Sequence, residues 1–303
     1  MAVTAKLVKE LRDKTGAGMM DCKNALVETD GDIDKAIDVL REKGLSKAAK
    51  KADRIAAEGL VRVALSADHK EAAVVEVNSE TDFVAKNPEF IEFVENLAKL
   101  ALTTENTSME DFMAMSFDGG TVQEALTGKI SKIGENMNIR RFQKFATPGT
   151  VYTDYIHGGG TIGVIVGIKT DADAAEIETT GKDVAMQVAS MSPRFVNDNE
   201  VDPKWLEDEK EIARQTLINE GKPENLVEKI LPGKMKSVLK EVCLVDQKFV
   251  KNSDQTVEEY VAESAKTLGK DMAVTEMVRY EVGEGIEKKE EDFAAEVAAQ
   301  MGK

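Results

Sequence analysis

Apolar residues recur at helical spacing through the first part of the chain, residues 1–54. Three short helices are expected there, the first capped by Thr4 and the third capped by Asp32. Gly44 is the predicted end of the third helix, because glycine commonly terminates helices. The Ala- and Lys-rich stretch at 47–52 then predicts a linker helix exposed to solvent.

From residue 57 onward apolar and polar positions alternate, which is the period of a β-strand. The alternation predicts a β-hairpin over 57–77 with one buried face. A helix is expected to begin at Pro88, since Asn87 suits the N-cap position and Pro88 the first helical position. Residues 103–120 are predicted to form a loop, 122–133 a helix and 138–142 a strand.

The same order of elements recurs later in the chain. A second hairpin is predicted over 151–169, a helix over 181–191, a helix after the capping box at Thr256 and a strand over 274–278. We interpret the recurrence as a duplicated α+β unit with antiparallel sheets. Fold class α+β is therefore predicted.

An insertion interrupts the second unit at about residues 200–240. Asp202-Pro203 predicts the start of one helix and Gly221-Lys222-Pro223 a tight turn. A second helix should follow and end at Pro232, because proline breaks helix interiors. The insertion is expected to be a helical hairpin.

The charge balance is acidic: 40 Lys+Arg against 56 Asp+Glu give −16 over 303 residues. Residues 1–54 hold 12 basic and 10 acidic residues, net +2, so the rest carries −18. This acidity argues against nucleic-acid binding, which needs clustered basic residues. The chain shows neither a signal-peptide pattern nor an apolar run that could span a membrane, and its two cysteines, Cys22 and Cys243, suggest a reducing compartment. We expect a cytoplasmic protein.

Candidate catalytic chemistry is sparse. His69 and His157 are the only histidines, so a zinc site or a histidine-based triad is not expected. The run from Gly158 to Gly163 matches a dinucleotide motif, but β-branched residues follow it where that motif requires a helix. A glycine hairpin loop is favoured over a cofactor site. We therefore expect no catalytic residue, no metal and no cofactor, and a protein that acts through contacts.

Two segments have interpretations beyond structure. Thr15–Lys23 combines two glycines with Met19 and Met20, which predicts either a turn with a hydrophobic staple or an adaptable apolar contact beside a cation. In Glu76–Asn87 a strand ends and a helix begins, with Phe83 between them. Composition alone favours a core position for this ring over presentation to a partner.

These two segments, Thr-Gly-Ala-Gly-Met-Met-Asp-Cys-Lys at 15–23 and Glu-Val-Asn-Ser-Glu-Thr-Asp-Phe-Val-Ala-Lys-Asn at 76–87, resemble the two signatures of the bacterial translation elongation factor Ts family. Further matching segments lie at 133–136, 155–158 and 282–287, in the same order. The resemblance implies a guanine nucleotide exchange factor for elongation factor Tu, with no covalent chemistry.

The resemblance also implies the contact residues. Asp82 and Phe83 would enter the nucleotide domain of Tu as a wedge near the magnesium and phosphate site and promote GDP release. Other contacts would come from the first signature, the Ile133-Gly134 turn, the tail from Gly283 onward and, on a different domain of Tu, His157. The expected contact residues are Met19, Met20, Lys23, Thr81, Asp82, Phe83, Val84, Ile133, Gly134 and His157.

The domains implied are a three-helix domain like the ubiquitin-associated fold at 1–54, core subdomains at 55–145 and 146–282, and a C-terminal helical module at 283–303. The number of copies stays open, a homodimer within a two-to-two complex with Tu being one arrangement. A rival hypothesis is an interaction protein, whose three-helix head binds partners without exchange activity. Neither hypothesis involves nucleic acid or a membrane.

Overall fold

A computed structural model describes residues 3–105 and 108–287 of the chain. The protein has an α+β fold, in which an N-terminal helical region precedes small antiparallel sheets, two of three strands and two of two strands in the described residues. Among the described residues no helix combines the length and apolar composition needed to cross a bilayer. The remainder of the predicted C-terminal module, 288–303, lies outside the described residues.

The N-terminal region forms the three expected helices, α1 (Ala5–Thr15), α2 (Met19–Glu28) and α3 (Ile33–Ala49). The Thr4 hydroxyl accepts a hydrogen bond from the Leu7 backbone N–H, and the Asp32 carboxylate accepts one from that of Lys35, which confirms both predicted caps. The buried residues shared by these helices are Val8, Leu11, Cys22, Ala25, Leu26 and Ala36.

The predicted end of α3 at Gly44 is wrong, because the helix continues to Ala49 and absorbs the first half of the expected linker helix. Gly44 is buried, and a Cβ there would lie 3.7 Å from Cγ2 of Thr127. The glycine therefore lies inside the helix, packed near Thr127, and does not end it. The side chain of Lys47, in the expected linker, also has a fixed partner, since its Nζ donates a hydrogen bond to the Asp21 carboxylate at 2.9 Å.

The first sheet has the strand order β1-β2-β5. The elements of this region are β1 (Glu58–Leu65), β2 (Ala72–Ser79), α4 (Asp82–Ala85), α5 (Pro88–Thr103), α6 (Met109–Ala114), β3 (Ser116–Phe117), β4 (Gly120–Thr121), α7 (Val122–Ile133) and β5 (Met137–Phe145). The hairpin, α5, α7 and the last strand confirm their predictions. The expectation of one buried face is wrong for β2, which is buried along its whole length because it is the central strand.

Residues 103–120 are not simply the predicted loop. They contain α6 and the short hairpin of β3 and β4. Phe112 on α6 is fully buried and stacks on Phe142 with ring centroids 4.3 Å apart. A helix of six residues is too short to show helical periodicity in the sequence, which is why the pattern does not predict α6. Phe112 is the buried residue through which this helix packs.

The second sheet has the order β10-β7-β6. This region comprises β6 (Thr150–His157), β7 (Ile162–Thr170), α8 (Ala174–Met191), α9 (Pro203–Asn219), α10 (Glu224–Val242), β8 (Lys248–Phe249), β9 (Asn252–Thr256), α11 (Val257–Leu268) and β10 (Met272–Glu281). β6 and β7 pair antiparallel from Thr150↔Lys169 to His157↔Ile162, so Gly158–Gly160 form the expected hairpin loop. Helix α8 begins seven residues before the predicted start at Gly181.

The helical hairpin of the insertion is longer than predicted, because α10 passes through Pro232 and ends at Val242. Leu231 and Met235 on α10 pack with Ala213 on α9, and all three side chains are buried. The proline ring points to solvent at an exposed position, and the apolar contacts on either side of it offset the lost backbone hydrogen bond.

Contacts group the described residues into two compact units, one within 3–61, 75–142 and 281–287 and the other within 62–74 and 143–280. In each sheet the second strand of a hairpin is central and a strand following a later helix completes the sheet. The duplicated order of elements is thus present in the fold. The four domains expected from sequence, with their boundaries, remain a prediction.

Candidate partner-binding site

Phe83 is the most exposed large apolar side chain of the described residues, at 80%. It lies on α4, a single helical turn whose N-cap is Thr81. The next residue, Val84, is 6% exposed and packs inward. Consecutive side chains on a helix project about 100° apart, so Val84 anchors the turn while Phe83 faces solvent. The core position that composition favours for Phe83 is therefore wrong.

A reciprocal pair of carboxylates holds this segment against the turn that follows α7. The Glu135 carboxylate accepts from the Thr81 backbone N–H at 3.0 Å and from its hydroxyl at 2.8 Å. In return, the Glu80 carboxylate accepts from the Asn136 backbone N–H at 2.5 Å. We call residues 80–87 the wedge segment and these contacts the clasp.

The clasp joins two segments that sequence reasoning considered separately. Gly134, in the left-handed region at φ 91°, ends α7, and Ile133 before it is half-buried. Glu80 and Glu135 were not among the predicted site residues. Both stand inside the quoted motifs, and a carboxylate beside a helix-ending glycine is the signal that could have identified Glu135.

The wedge segment carries charge beside the exposed ring. Asp82 Oδ2 accepts from Lys86 Nζ at 2.6 Å, and both side chains are at least half exposed. This hydrogen bond from Lys86 is the main reason that the pKa of Asp82 lies below its ordinary value. The ring therefore stands beside a charged pair that stays in water.

The first signature exposes its methionines as well. Met19 is 57% and Met20 63% exposed at the start of α2, and Lys23 is exposed one turn later. Cys22 between them is buried against Thr15, and burial raises the pKa of its thiol. One face of α2 therefore belongs to the core, and the other presents apolar side chains next to a cation.

The turn of the first signature lies close to the end of α7. A Cβ at Gly16 would lie 3.8 Å from Nζ of Lys132, the residue before Ile133. An open cleft of about 790 Å³ runs between this turn, α5 and α7. At its wall Glu89 accepts from Lys129 and Lys132 at 2.6 and 2.9 Å, and these bonds lower the pKa of Glu89.

His157 belongs to the second compact unit, described here by itself. It is exposed at the end of β6, where its Nδ1 lies 3.1 Å from the Tyr155 hydroxyl. Within residues 3–105 and 108–287, His, Cys, Asp and Glu side chains form no group of three placed to hold a metal ion. The candidate site therefore presents exposed apolar and charged side chains on a backbone that hydrogen bonds hold in place.

Comparisons with known proteins agree with this pattern of motifs. A family model described as "Elongation factor TS" matches residues 80–284, which is more than half of the chain. Elongation factor Ts of Clostridium botulinum (strain Alaska E43 / Type E3) is 53% identical over 302 residues, covering 99% of this chain and 100% of the relative. Elongation factor Ts of Clostridioides difficile (strain 630) is 53% identical over 300 residues, covering 99% of each. On these matches, the chain belongs to the elongation factor Ts family of translation elongation factors.

Proposed function

We propose that this protein is a guanine nucleotide exchange factor for elongation factor Tu, which binds Tu with GDP and promotes GDP release. The observation that carries the proposal is Phe83, a large ring 80% exposed on a turn that the clasp and Val84 hold in place. Membership of the elongation factor Ts family supports Tu as the partner. Translation places this activity in the cytoplasm.

Exchange of this kind needs no covalent step. A factor that binds nucleotide-free Tu more tightly than loaded Tu weakens nucleotide binding by the same factor, since coupling between two ligands is reciprocal. In this proposal Phe83 inserts as a wedge near the magnesium and phosphate site of Tu, with Asp82 beside it. The exposed ring gains contacts only in the complex, so its burial favours the nucleotide-free state.

The energies require more than one ring. Holding a nucleotide at nanomolar strength corresponds to about 12 kcal/mol. Burying one phenylalanine contributes about 1.5–3 kcal/mol. Further contacts must supply the rest over an interface of roughly 1,600 Å² or more. The groups proposed for this interface are exposed or half-exposed: Met19, Met20, Lys23, the Ile133-Gly134 turn and His157.

The clasp contributes through preorganisation. Ordering a loop during binding reduces affinity, whereas a loop already held in its bound shape avoids this cost. Thr81 both caps α4 and donates twice to Glu135, and Val84 anchors the same turn in the core. The wedge is therefore proposed to enter Tu without rearranging.

Stopped-flow release of fluorescent GDP from Tu tests the proposal. Phe83→Ala should lower the maximal stimulated release rate by about 10- to 100-fold, the equivalent of the lost ring burial. Ile212→Ala is the matched control, because Ile212 is also exposed, at 59%, and lies on the helical hairpin. The control should release GDP as fast as the unmodified protein. Normal release by Phe83→Ala would refute the wedge, and absence of any stimulation by the unmodified protein would refute the exchange function.

A further inference from the structure

Glu76 is a fully buried carboxylate on the central strand β2. Its Oε1 accepts from Arg140 Nη1 at 3.1 Å and from Asn78 Nδ2 at 3.1 Å, and its Oε2 accepts from Arg141 Nε at 2.5 Å. Both arginines lie on the neighbouring strand β5. A buried carboxylate is costly unless it is paired in this way, so the cluster needs a reason.

Side-chain contacts follow one order along β2 and β5 and along the residues that flank these strands. Thr81 bonds Glu135, Glu80 bonds Asn136, and Glu76 bonds Arg140. Each step back along the chain from Thr81 into β2 is matched by one step forward from Glu135 into β5, as between antiparallel neighbours. The clasp therefore lies just beyond the ends of the two strands that the buried cluster joins.

A distant part of the chain closes the cluster. The Gly283 backbone N–H donates to Glu76 Oε1 at 2.9 Å, and Arg140 Nη2 donates to the Glu284 carbonyl. Gly283 has φ 71°, and a Cβ there would lie 2.2 Å from the carbonyl oxygen of Ala57. Only glycine fits this position. The close approach lets the turn at 283–286 cover the Glu76 carboxylate, which is inaccessible to water.

Aliphatic side chains in the interior of β2 would pack without requiring partners, but they would also tolerate a shifted strand. A slip of β2 against β5 by one residue would place its side chains on the wrong face, and a slip by two would separate Thr81 from Glu135. A buried charge with fixed partners penalises every such slip, and specifying register is the best-attested role of buried polar groups.

We propose that Glu76 is a positioning residue, which fixes the register of β2 against β5 and thereby places Phe83 for its contact with the partner. The inference rests on the proposed exchange function. It assigns Glu76, Arg140, Arg141 and the turn at Gly283 to the mechanism, although none of them is exposed at the wedge.

A double-mutant cycle on the full chain tests the inference. The variants are Glu76→Gln, Phe83→Ala and the two combined, assayed for stimulated GDP release well below the lowest melting temperature. Glu76→Gln should lower the maximal release rate about tenfold, because a misplaced group loses its productive geometry. On the Phe83→Ala background it should change the rate by less than about twofold, since it acts through Phe83.

A second readout does not need the partner. Hydrogen exchange of the backbone amides at 80–87 and 135–136 should become at least about tenfold faster in Glu76→Gln, because the clasp opens more often. Gly283→Ala should give the same pattern without altering any charge, and it replaces Glu76→Gln if that variant does not fold. Glu207→Gln is the matched control, since Glu207 pairs with Lys210 on α9, on neither of the two strands, and should change neither readout.

The outcomes separate the two proposals. If Phe83→Ala releases GDP normally, the wedge fails, and hydrogen exchange still decides whether Glu76 holds the segment. If Phe83→Ala is slow but Glu76→Gln is normal, or multiplies the defect of Phe83→Ala by its full factor, the positioning role is refuted. A lower melting temperature with unchanged exchange at 80–87 would likewise reduce Glu76 to a structural residue.

Discussion

Both sheets place the second strand of a hairpin in the centre, and both let that strand run into a helix, but the two connections differ. After β2, the connection is the wedge segment, with Phe83 80% exposed. After β7, the connection is only Asp171–Asp173, and its apolar residue, Ala172, is 2% exposed. Within the same topology, one connection presents an aromatic ring and the other buries a methyl group.

The support beneath the two connections is alike. In both units a left-handed glycine, Gly134 or Gly269, ends a helix, and a charged residue after it reaches back to the connection. Glu135 accepts from Thr81 in the first unit, and Lys270 donates to the Asp171 carbonyl at 3.3 Å in the second. The duplicated scaffold is therefore common to both, and the extra turn α4 is the difference. The proposed exchange contact thus lies on a short segment added to a shared fold.

The largest expected effect tests whether the wedge segment is outside the core. Phe90→Ala should cost about 3–5 kcal/mol of folding free energy, because Phe90 is fully buried on α5. Phe83→Ala, the same chemical change seven residues earlier, should stay within about 0.5 kcal/mol. Urea unfolding curves of both variants measure the contrast. A comparable loss in the two would show that Phe83 packs in the core and would erase the difference between the two connections.

A smaller effect concerns the helix that follows the second connection. A Cβ on Gly181 in α8 would lie 2.4 Å from Cγ2 of Thr153 on β6, so Gly181→Ala should destabilise the protein by about 1–3 kcal/mol. Gly233→Ala on α10 is the control, since nothing lies within 4 Å of a Cβ there. It should stabilise the helix by about 0.5–1 kcal/mol. Thermal melts compare them, and equal shifts of the same sign would disprove the close approach of α8 to β6.

Local signals explain what the sequence could predict. The caps at Thr4 and Asp32, the capping box at Thr256 and the alternation in the hairpins act within a few residues, so these elements begin where they were expected. Helix α7 even has the predicted bounds, Val122–Ile133. The family motifs likewise identify the segments that the clasp joins.

Tertiary contacts explain the errors. Gly44 continues a helix because Thr127 from α7 packs against it, and Pro232 is tolerated because its neighbours pack on α9. Phe83 is exposed because Val84 occupies the inward position of α4. The cluster around Glu76 depends on Gly283, which is 207 residues away in sequence. No pattern within a window of ten or twenty residues could bring Thr127 to Gly44 or Gly283 to Glu76.

The smallest expected effect concerns two carboxylates, Asp82 in the first connection and Glu176 on the helix after the second, and the groups that hydrogen-bond to them. Asp82 and Glu176 both have a pKa below the ordinary values of 3.8 and 4.5. The main cause is the Lys86 side chain for Asp82 and the Asp173 backbone N–H, followed by Lys270, for Glu176. Because the folded state lowers both pKa values, each carboxylate stabilises the fold at neutral pH. This contribution is lost as the pH falls through the lowered pKa.

Substituting the lysines separates the two cases. Lys86→Met should raise the pKa of Asp82 toward its ordinary value, since it removes the hydrogen bond that does most to lower it. Lys270→Met should leave the pKa of Glu176 still lowered, because the Asp173 N–H continues to donate at 2.8 Å. Carboxyl NMR titrations of both variants provide the measurement, with added salt as a further test, since screening weakens an exposed ion pair more than a backbone hydrogen bond. Complete recovery of both pKa values would mean that the second connection, like the first, is held by side-chain charge alone.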